Sequence, residues 1–165
     1  MTMLNTEQEL EVQTFDFSKE AVINAPIEIT FDAVLAELGP EGSMPTETGD
    51  VKPYPFVFEP FPGGRWFRDL GNNTGHLWGH VQVIKPPKLL EIMGPCFLSY
   101  PATNHIQYRL VAEGERTRLK VTNRAFGYMP RRFMDGAEMG WEHGFRKIAE
   151  IAARLKNDQQ KRAAR

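Results

Sequence analysis

The sequence predicts an α+β fold in which a curved antiparallel sheet of about six or seven strands wraps around a long C-terminal helix. Apolar residues in the last part of the 165-residue chain recur at steps of three and four, the period of one buried helical face. The preceding region contains short alternating segments joined by tight turns. Such joins indicate an antiparallel meander, because parallel strands need crossovers of a dozen or more residues.

The chain begins with a predicted strand and a short helix. Apolar and polar residues alternate over residues 15–23, which predicts the strand. Pro26 suits the first turn of the helix, and Gly39 and Pro40 stop it. The stretch 39–55 is rich in Gly, Pro, Ser and Thr and predicts a long loop. Such a loop is either a lid or binding edge, or an ordinary surface excursion.

Six more strands are predicted before the long helix. They cover residues 56–61, 65–70, 76–84, 89–93, 105–112 and 117–126. In the last of these, Leu119, Val121 and Asn123 share one face, while Arg and Lys residues occupy the other. A sheet with one apolar and one charged face is covered on one side only, so we expect the two helices to cover the apolar face.

The long helix is predicted over residues 131–156. Its apolar stripe consists of Met134, Ala137, Trp141, Phe145, Ile148, Ala152 and Leu155. The predicted domain therefore spans residues 14–157 as a single unit. It lies between a disordered or loosely attached N-terminal tail, residues 1–13, and a basic, solvated C-terminal tail, residues 158–165.

Composition excludes several classes of partner. The formal net charge is −1 with both signs mixed, so no nucleic-acid footprint is present. Residues 1–13 are polar, which predicts neither a signal peptide nor membrane insertion. Cys96 is the single cysteine, and an internal disulfide is therefore impossible. We expect a soluble, cytoplasmic protein.

The order of several short motifs resembles the START-like, or SRPBCC helix-grip, superfamily, and in particular the branch of activators of a heat-shock chaperone ATPase. The motifs are Ala25-Pro26-Ile27-Glu28, Phe61-Pro62-Gly63-Gly64-Arg65, Gly79-His80-Val81, Lys85-Pro86-Pro87-Lys88-Leu89 and Gly140-Trp141. The resemblance covers roughly residues 15–156. It implies a hydrophobic cavity between the sheet and the terminal helix, without a fixed catalytic set. Asn123 stands where the family often has histidine.

Aromatic and polar residues on the predicted inner surfaces are the candidate lining of a cavity. They are Trp66, Phe67, Tyr108, Asn123, Met134, Glu138, Trp141 and Phe145. Gly136, Gly140 and Gly144 recur every four residues in the helix, which indicates close backbone contact or vacant volume. A filled core is the alternative for each of these aromatic side chains.

No metal, cofactor or catalytic residue is predicted. His76 and His80 lie on a predicted strand, where four residues span about 13 Å, too far for two ligands of one ion. Alternation places His80 on the outer face with Trp78. A nucleophilic pair of Cys96 with a histidine stays open, although an inert, buried Cys96 is favoured.

The predicted function is therefore the binding of a hydrophobic small molecule or lipid, and a homodimer is left open. One alternative is an interaction module that activates a chaperone ATPase, as the resemblance implies. The other is a cyclase or dehydratase that uses Glu138 as its acid or base, because proton transfer needs a positioned group in the cavity.

Overall fold

A curved antiparallel sheet and a long C-terminal helix form the fold. The computed structural model describes residues 10–45, 51–53, 56–96, 100–131 and 133–165, without the side chains of 44–45, 51–53 and 133–136. The strands are β1 (Glu11–Ile23), β2 (Ser43–Pro45), β3 (Val51–Pro53), β4 (Phe56–Phe58), β5 (Arg65–Gly71), β6 (Thr74–Lys85), β7 (Leu89–Gly94), β8 (Ala102–Glu113) and β9 (Arg116–Met129). The helices are α1 (Ile27–Leu38) and α2 (Phe133–Ala163).

Seven of these strands form one sheet in the order β1-β9-β8-β7-β6-β5-β4, with every neighbouring pair antiparallel. The seven predicted strands and the meander are confirmed. The predicted long loop at 39–55 is wrong in part, because β2 and β3 pair within it as a separate two-stranded sheet. Residues 46–50 and 54–55 of that loop lie outside the described residues.

The buried core lies on the inner face of the sheet. Leu119 and Val121 of β9 are fully buried, and the paired β8 contributes Ile106, Tyr108 and Leu110. The outer face of the same strands carries exposed charged side chains, as the alternation predicts.

Two bulges in β6 curve the sheet. Trp66 pairs with Gly79 and the next residue, Phe67, with Leu77, so Trp78 is an extra residue in β6. Gln82 is likewise extra in the pairing with β7. The bulge breaks the alternation, so Trp78 is buried and its predicted place on the outer face is wrong.

Helix α1 is fixed to the sheet at both ends. At its start, the Thr117 hydroxyl of β9 donates a hydrogen bond to the Ala25 carbonyl at 2.7 Å. At its end, the indole N–H of Trp66 donates to the Leu38 carbonyl at 2.8 Å. The second bond satisfies a carbonyl that a helix C-terminus leaves unpaired, and the first ties the residue before the helix to β9.

Helix α2 presents the predicted stripe from Trp141 onward to the core. Phe145, Ile148 and Ala152 are buried, and Leu155 packs against them. The helix extends through Ala163, so the predicted end near residue 156 is wrong and most of the basic tail is helical. At the other terminus, β1 already begins at Glu11, inside the predicted tail, and residues 1–9 lie outside the described residues.

Candidate functional site

Three rows of inward side chains cross the sheet below Trp141 of α2. In the middle row, Asn123 of β9 lies between Phe17 of β1 and Ile106 of β8. The flanking rows are Lys19–Val121–Tyr108 and Phe15–Ala125–Asn104. Two buried amides therefore sit side by side on a surface that is otherwise apolar and aromatic except for Lys19, whose ammonium pairs with Glu142.

Trp141 covers this surface from the helix side. Its ring stacks on Phe17 with centroids 5.7 Å apart and planes 13° apart. It also meets the ring of Tyr108 at 6.4 Å in a tilted arrangement. Because Phe17 and Tyr108 belong to strands on either side of β9, the indole bridges over the strand that carries Asn123. We call Phe17, Asn104, Tyr108, Asn123 and Trp141 the aromatic–amide site.

The two amides form a chain of hydrogen bonds. The Asn104 side-chain Nδ2 donates to the carbonyl oxygens of Gly94 and Pro95, both at 3.4 Å. The Asn104 Oδ1 accepts from Asn123 Nδ2 at 3.1 Å. The remaining atom, Asn123 Oδ1, is buried and has no hydrogen-bond partner among the described residues. An unpaired buried acceptor of this kind costs about 1–3 kcal/mol.

Glu37 of α1 is a half-buried carboxylate that was not predicted as a site residue. Its Oε1 lies next to α2, where a Cβ on Gly144 would stand 3.5 Å away. Burial raises the pKa of Glu37 to about 7, and the charge of Lys147 offsets part of that rise. Burial, and then the negative charges of Glu37 and Cys96, also raise the pKa of Tyr108. Glu37 therefore adds a titratable group on the α1 side of the Tyr108 phenol.

Two predicted cavity residues are placed wrongly. Glu138 is exposed, because its position on α2 turns outward from the buried stripe. Phe67 follows the inward Trp66 in β5, and consecutive residues of a strand point to opposite faces. Its ring lies 4.7 Å from the exposed guanidinium of Arg65. Neither side chain belongs to the inner surface.

The other predicted residues divide into two groups. Tyr108, Asn123 and Trp141 belong to the aromatic–amide site. Trp66 is buried near the end of α1 and packs edge-on against Trp78 at 5.3 Å, so it belongs to the core.

Two positions remain on α2. Phe145 is buried one turn after Trp141, with the Lys19 ammonium 5.6 Å from its ring centroid. The side chain of Met134 lies outside the described residues.

The glycines of α2 have different surroundings. Gly144 faces the Glu37 carboxylate, whereas a Cβ on Gly140 would meet nothing within 4 Å. A side chain at position 144 would therefore make an ordinary van der Waals contact with that carboxylate, whereas open space surrounds Gly140. The surroundings of Gly136 lie outside the described part of the structure.

The chemistry of Cys96 agrees with an inert thiol. Cys96 is buried, and burial raises its pKa to about 12, so the thiolate is scarce at neutral pH. His76 and His80 are both exposed on the extended strand β6. Among the described residues there is no group of three or more His, Cys, Asp or Glu side chains that could hold a metal.

Glu37, Asn104 and Phe17 were missed as site residues, although the sequence carries a signal for each. Glu37 follows Val34 by three positions and Thr30 by seven, which places it on the buried face of α1. Phe17 and Asn104 share the inward alternation of their strands.

A groove lies between the end of β1 and α2. This groove has a volume of about 440 Å³ and is open to solvent. It is lined by Val22, Ile23, Asn24, Ala149, Ala153, Lys156, Asn157 and Gln160. Its lining shares no residue with the aromatic–amide site.

Comparison with known proteins gives a fold. No protein family and no curated protein matches the chain. The structure of protein MLL2253 from Mesorhizobium loti is 20% identical with a TM-score of 0.62, over 85% of this chain and 98% of that chain. An uncharacterised protein from Rhizobium leguminosarum is 17% identical with a TM-score of 0.64, over 88% and 98%.

CalU16 from Micromonospora echinospora is 15% identical with a TM-score of 0.57, over 94% of this chain and 95% of that chain. At such identities the likeness shows the fold alone, a sheet with a long C-terminal helix. None of the helices in the described part of the chain has the length and apolar character needed to cross a bilayer.

Proposed function

We propose that this protein binds a small, largely apolar molecule between the inner face of the sheet and helix α2, at the aromatic–amide site. The observation that carries the proposal is the buried Asn123 Oδ1 without a partner on an aromatic surface. Ligand sites typically combine apolar walls with a few polar groups that orient the ligand. Both components are present here.

The position of Trp141 supports the same proposal. The indole is half-buried and rests on Phe17 and Tyr108, while Phe145 and Ile148 further along the helix are buried. None of residues 137–144 is buried, so this part of α2 is less closely packed than the part that follows. A ligand that stacks on Trp141 would bury additional apolar surface, at about 25 cal/mol per Å².

The binding proposal is tested by titrating lipids, aromatic polyketides and bile-acid-like compounds into the protein. We expect at least one class to change the tryptophan fluorescence, with the change lost in Trp141→Phe. A saturating ligand at one hundred times its Kd should raise the free energy of unfolding by about 2.7 kcal/mol.

A matched pair of variants localises the binding. Phe17→Ala should weaken it, whereas Phe126→Ala, which removes an exposed ring on the outer face of the same sheet, should leave it unchanged. Absence of a response to every apolar class would contradict the proposal, and so would equal weakening by both variants.

Proton-transfer catalysis is a second candidate function, and the half-buried Glu37 favours it. A carboxyl group with a pKa of about 7 is suited to act as both acid and base near neutral pH. A ligand from the titration would then be converted to product, and Glu37→Gln would abolish turnover while binding persists. Binding without turnover would leave only the first proposal.

The finer family placement is also a proposal. The motif order and the shared fold of the solved structures support membership of the START-like superfamily. Activation of a chaperone ATPase and a homodimeric state stay predictions, and adding the protein to a chaperone ATPase assay and measuring its mass in solution would test them.

A further inference from the structure

The polarity of the Asn104–Asn123 pair determines which kind of ligand the site accepts. Asn104 contacts two backbone carbonyl oxygens, of Gly94 and Pro95, which can only accept hydrogen bonds. Its Nδ2 must therefore face them, because turning the amide over would place Oδ1 against two acceptors. The Asn104 Oδ1 is thus directed at Asn123.

The orientation of the Asn123 amide follows from that of Asn104. Facing the Asn104 Oδ1, it must present its Nδ2, as the 3.1 Å hydrogen bond shows. Its Oδ1 is then the last atom in this series of hydrogen bonds. It is buried and has no partner among the described residues. Turning this amide over would bring two oxygens together. The carbonyls of Gly94 and Pro95 therefore impose an acceptor at the aromatic–amide site.

We propose that the ligand of this site is an aromatic or polycyclic compound with a neutral hydroxyl or N–H group, which donates a hydrogen bond to Asn123 Oδ1. This inference rests on the proposed binding function and adds the polarity of the ligand to it. The ring system would pack against Phe17 and Trp141, whose stacked planes border the amide. An ether or ketone at the same point would place an acceptor against an acceptor.

The test compares 2-naphthol, 2-methoxynaphthalene and naphthalene by isothermal titration calorimetry. The first two compounds share a ring system and an oxygen atom, but only 2-naphthol has a donor. We expect the wild-type protein to bind 2-naphthol about tenfold or more tightly than the methyl ether, because only the phenol satisfies the buried acceptor. The ether should bind no better than naphthalene.

Two variants connect the preference to the amide. Asn123→Leu should abolish the preference for 2-naphthol. Thr122→Val changes the adjacent residue of β9, which points to the opposite face, and should retain it. Thermal melts measure whether both variants are folded. If Asn123→Leu is not folded, the comparison of the three compounds on the wild-type protein decides the test.

The outcomes separate the two proposals. Equal binding of 2-naphthol and its methyl ether would overturn the polarity inference, because Asn123 Oδ1 would then be satisfied by a structural water, while the binding proposal would stand. Tighter binding of the ether would overturn it also. Failure of all three compounds to bind would contradict the binding of aromatic ligands and, with it, this inference.

Discussion

At the scale of single residues, the carboxylate of Glu37 is the group whose environment differs most from the sequence-based expectation. The helical period predicted the acid–base candidate at Glu138, on the margin of the α2 stripe. In the structure Glu138 is exposed, and Glu37 is half-buried between α1 and α2 next to Gly144. Glu37 was not predicted as a site residue because acidic side chains are rarely found in a protein core.

The raised pKa of Glu37 predicts how stability depends on pH. The folded state holds the proton up to a pKa of about 7, whereas the unfolded state releases it near 4.5. The free energy of unfolding should therefore fall as the pH rises between these values, by at most about 3 kcal/mol, and level off above them. Urea denaturation between pH 4 and pH 8 measures this dependence.

Glu37→Gln should flatten that dependence between pH 4.5 and pH 7. Glu138→Gln is the matched control, because it removes an exposed carboxylate from the neighbouring helix and should leave the curve unchanged. A Glu37→Gln curve with the wild-type slope would show that Glu37 titrates normally.

At the scale of the elements, the periodic segments were predictable and the irregular ones were not. Most strands of the main sheet follow from alternation, β4 follows from its apolar run before a turn, and α2 follows from its apolar stripe. Strands β2 and β3 were missed because both are short, end in proline and lie in a stretch rich in Gly, Pro, Ser and Thr. The end of α2 was missed because the stripe stops at Leu155, while the polar residues that follow still favour a helix.

The aromatic–amide site was predictable only in part, for a related reason. Alternation gives the faces of Tyr108 and Asn123, and the helical period gives that of Trp141. Strand pairing and register place Phe17 opposite Asn123. They also bring Asn104 to the Gly94 carbonyl. Pairing partners far apart in the chain leave no local pattern.

The two described glycines of α2 predict different effects of substitution. Gly140→Ala should raise the free energy of unfolding by about 1 kcal/mol, because alanine favours a helix and its methyl group has open space. Gly144→Ala should gain less, because its methyl group would lie 3.5 Å from Glu37 Oε1 and restrict water around the carboxylate.

The difference between these two variants should depend on pH. At pH 5, where Glu37 is protonated in the folded state, the gains should be closer than at pH 8. Urea denaturation of both variants at the two pH values measures this. Equal gains at pH 8 would contradict the close approach of Glu37 to α2.

At the scale of the whole molecule, the last residues of α2 contribute little to the domain. Residues 157–165 are exposed, whereas Ile151 and Ala152 are buried in the core. Truncation after Asn157 should therefore change the free energy of unfolding by less than about 0.5 kcal/mol. Thermal and urea denaturation of the truncated chain measure this change.

Ile148→Ala is the contrasting control for the truncation. It empties a fully buried position on the same helix and should cost about 2–5 kcal/mol. A truncation as costly as this substitution would show that the terminal turns are part of the cooperative unit.

The two extra residues of β6 have a consequence for how the concave surface can diversify. Trp78 and Gln82 lengthen β6 relative to its partner strands. The sheet therefore bends because of extra backbone residues, and the bend does not depend on particular side-chain shapes. We therefore expect that inward-facing residues can be substituted while the curvature of the sheet is retained. Proteins with no more than a fifth of their residues in common accordingly share this architecture.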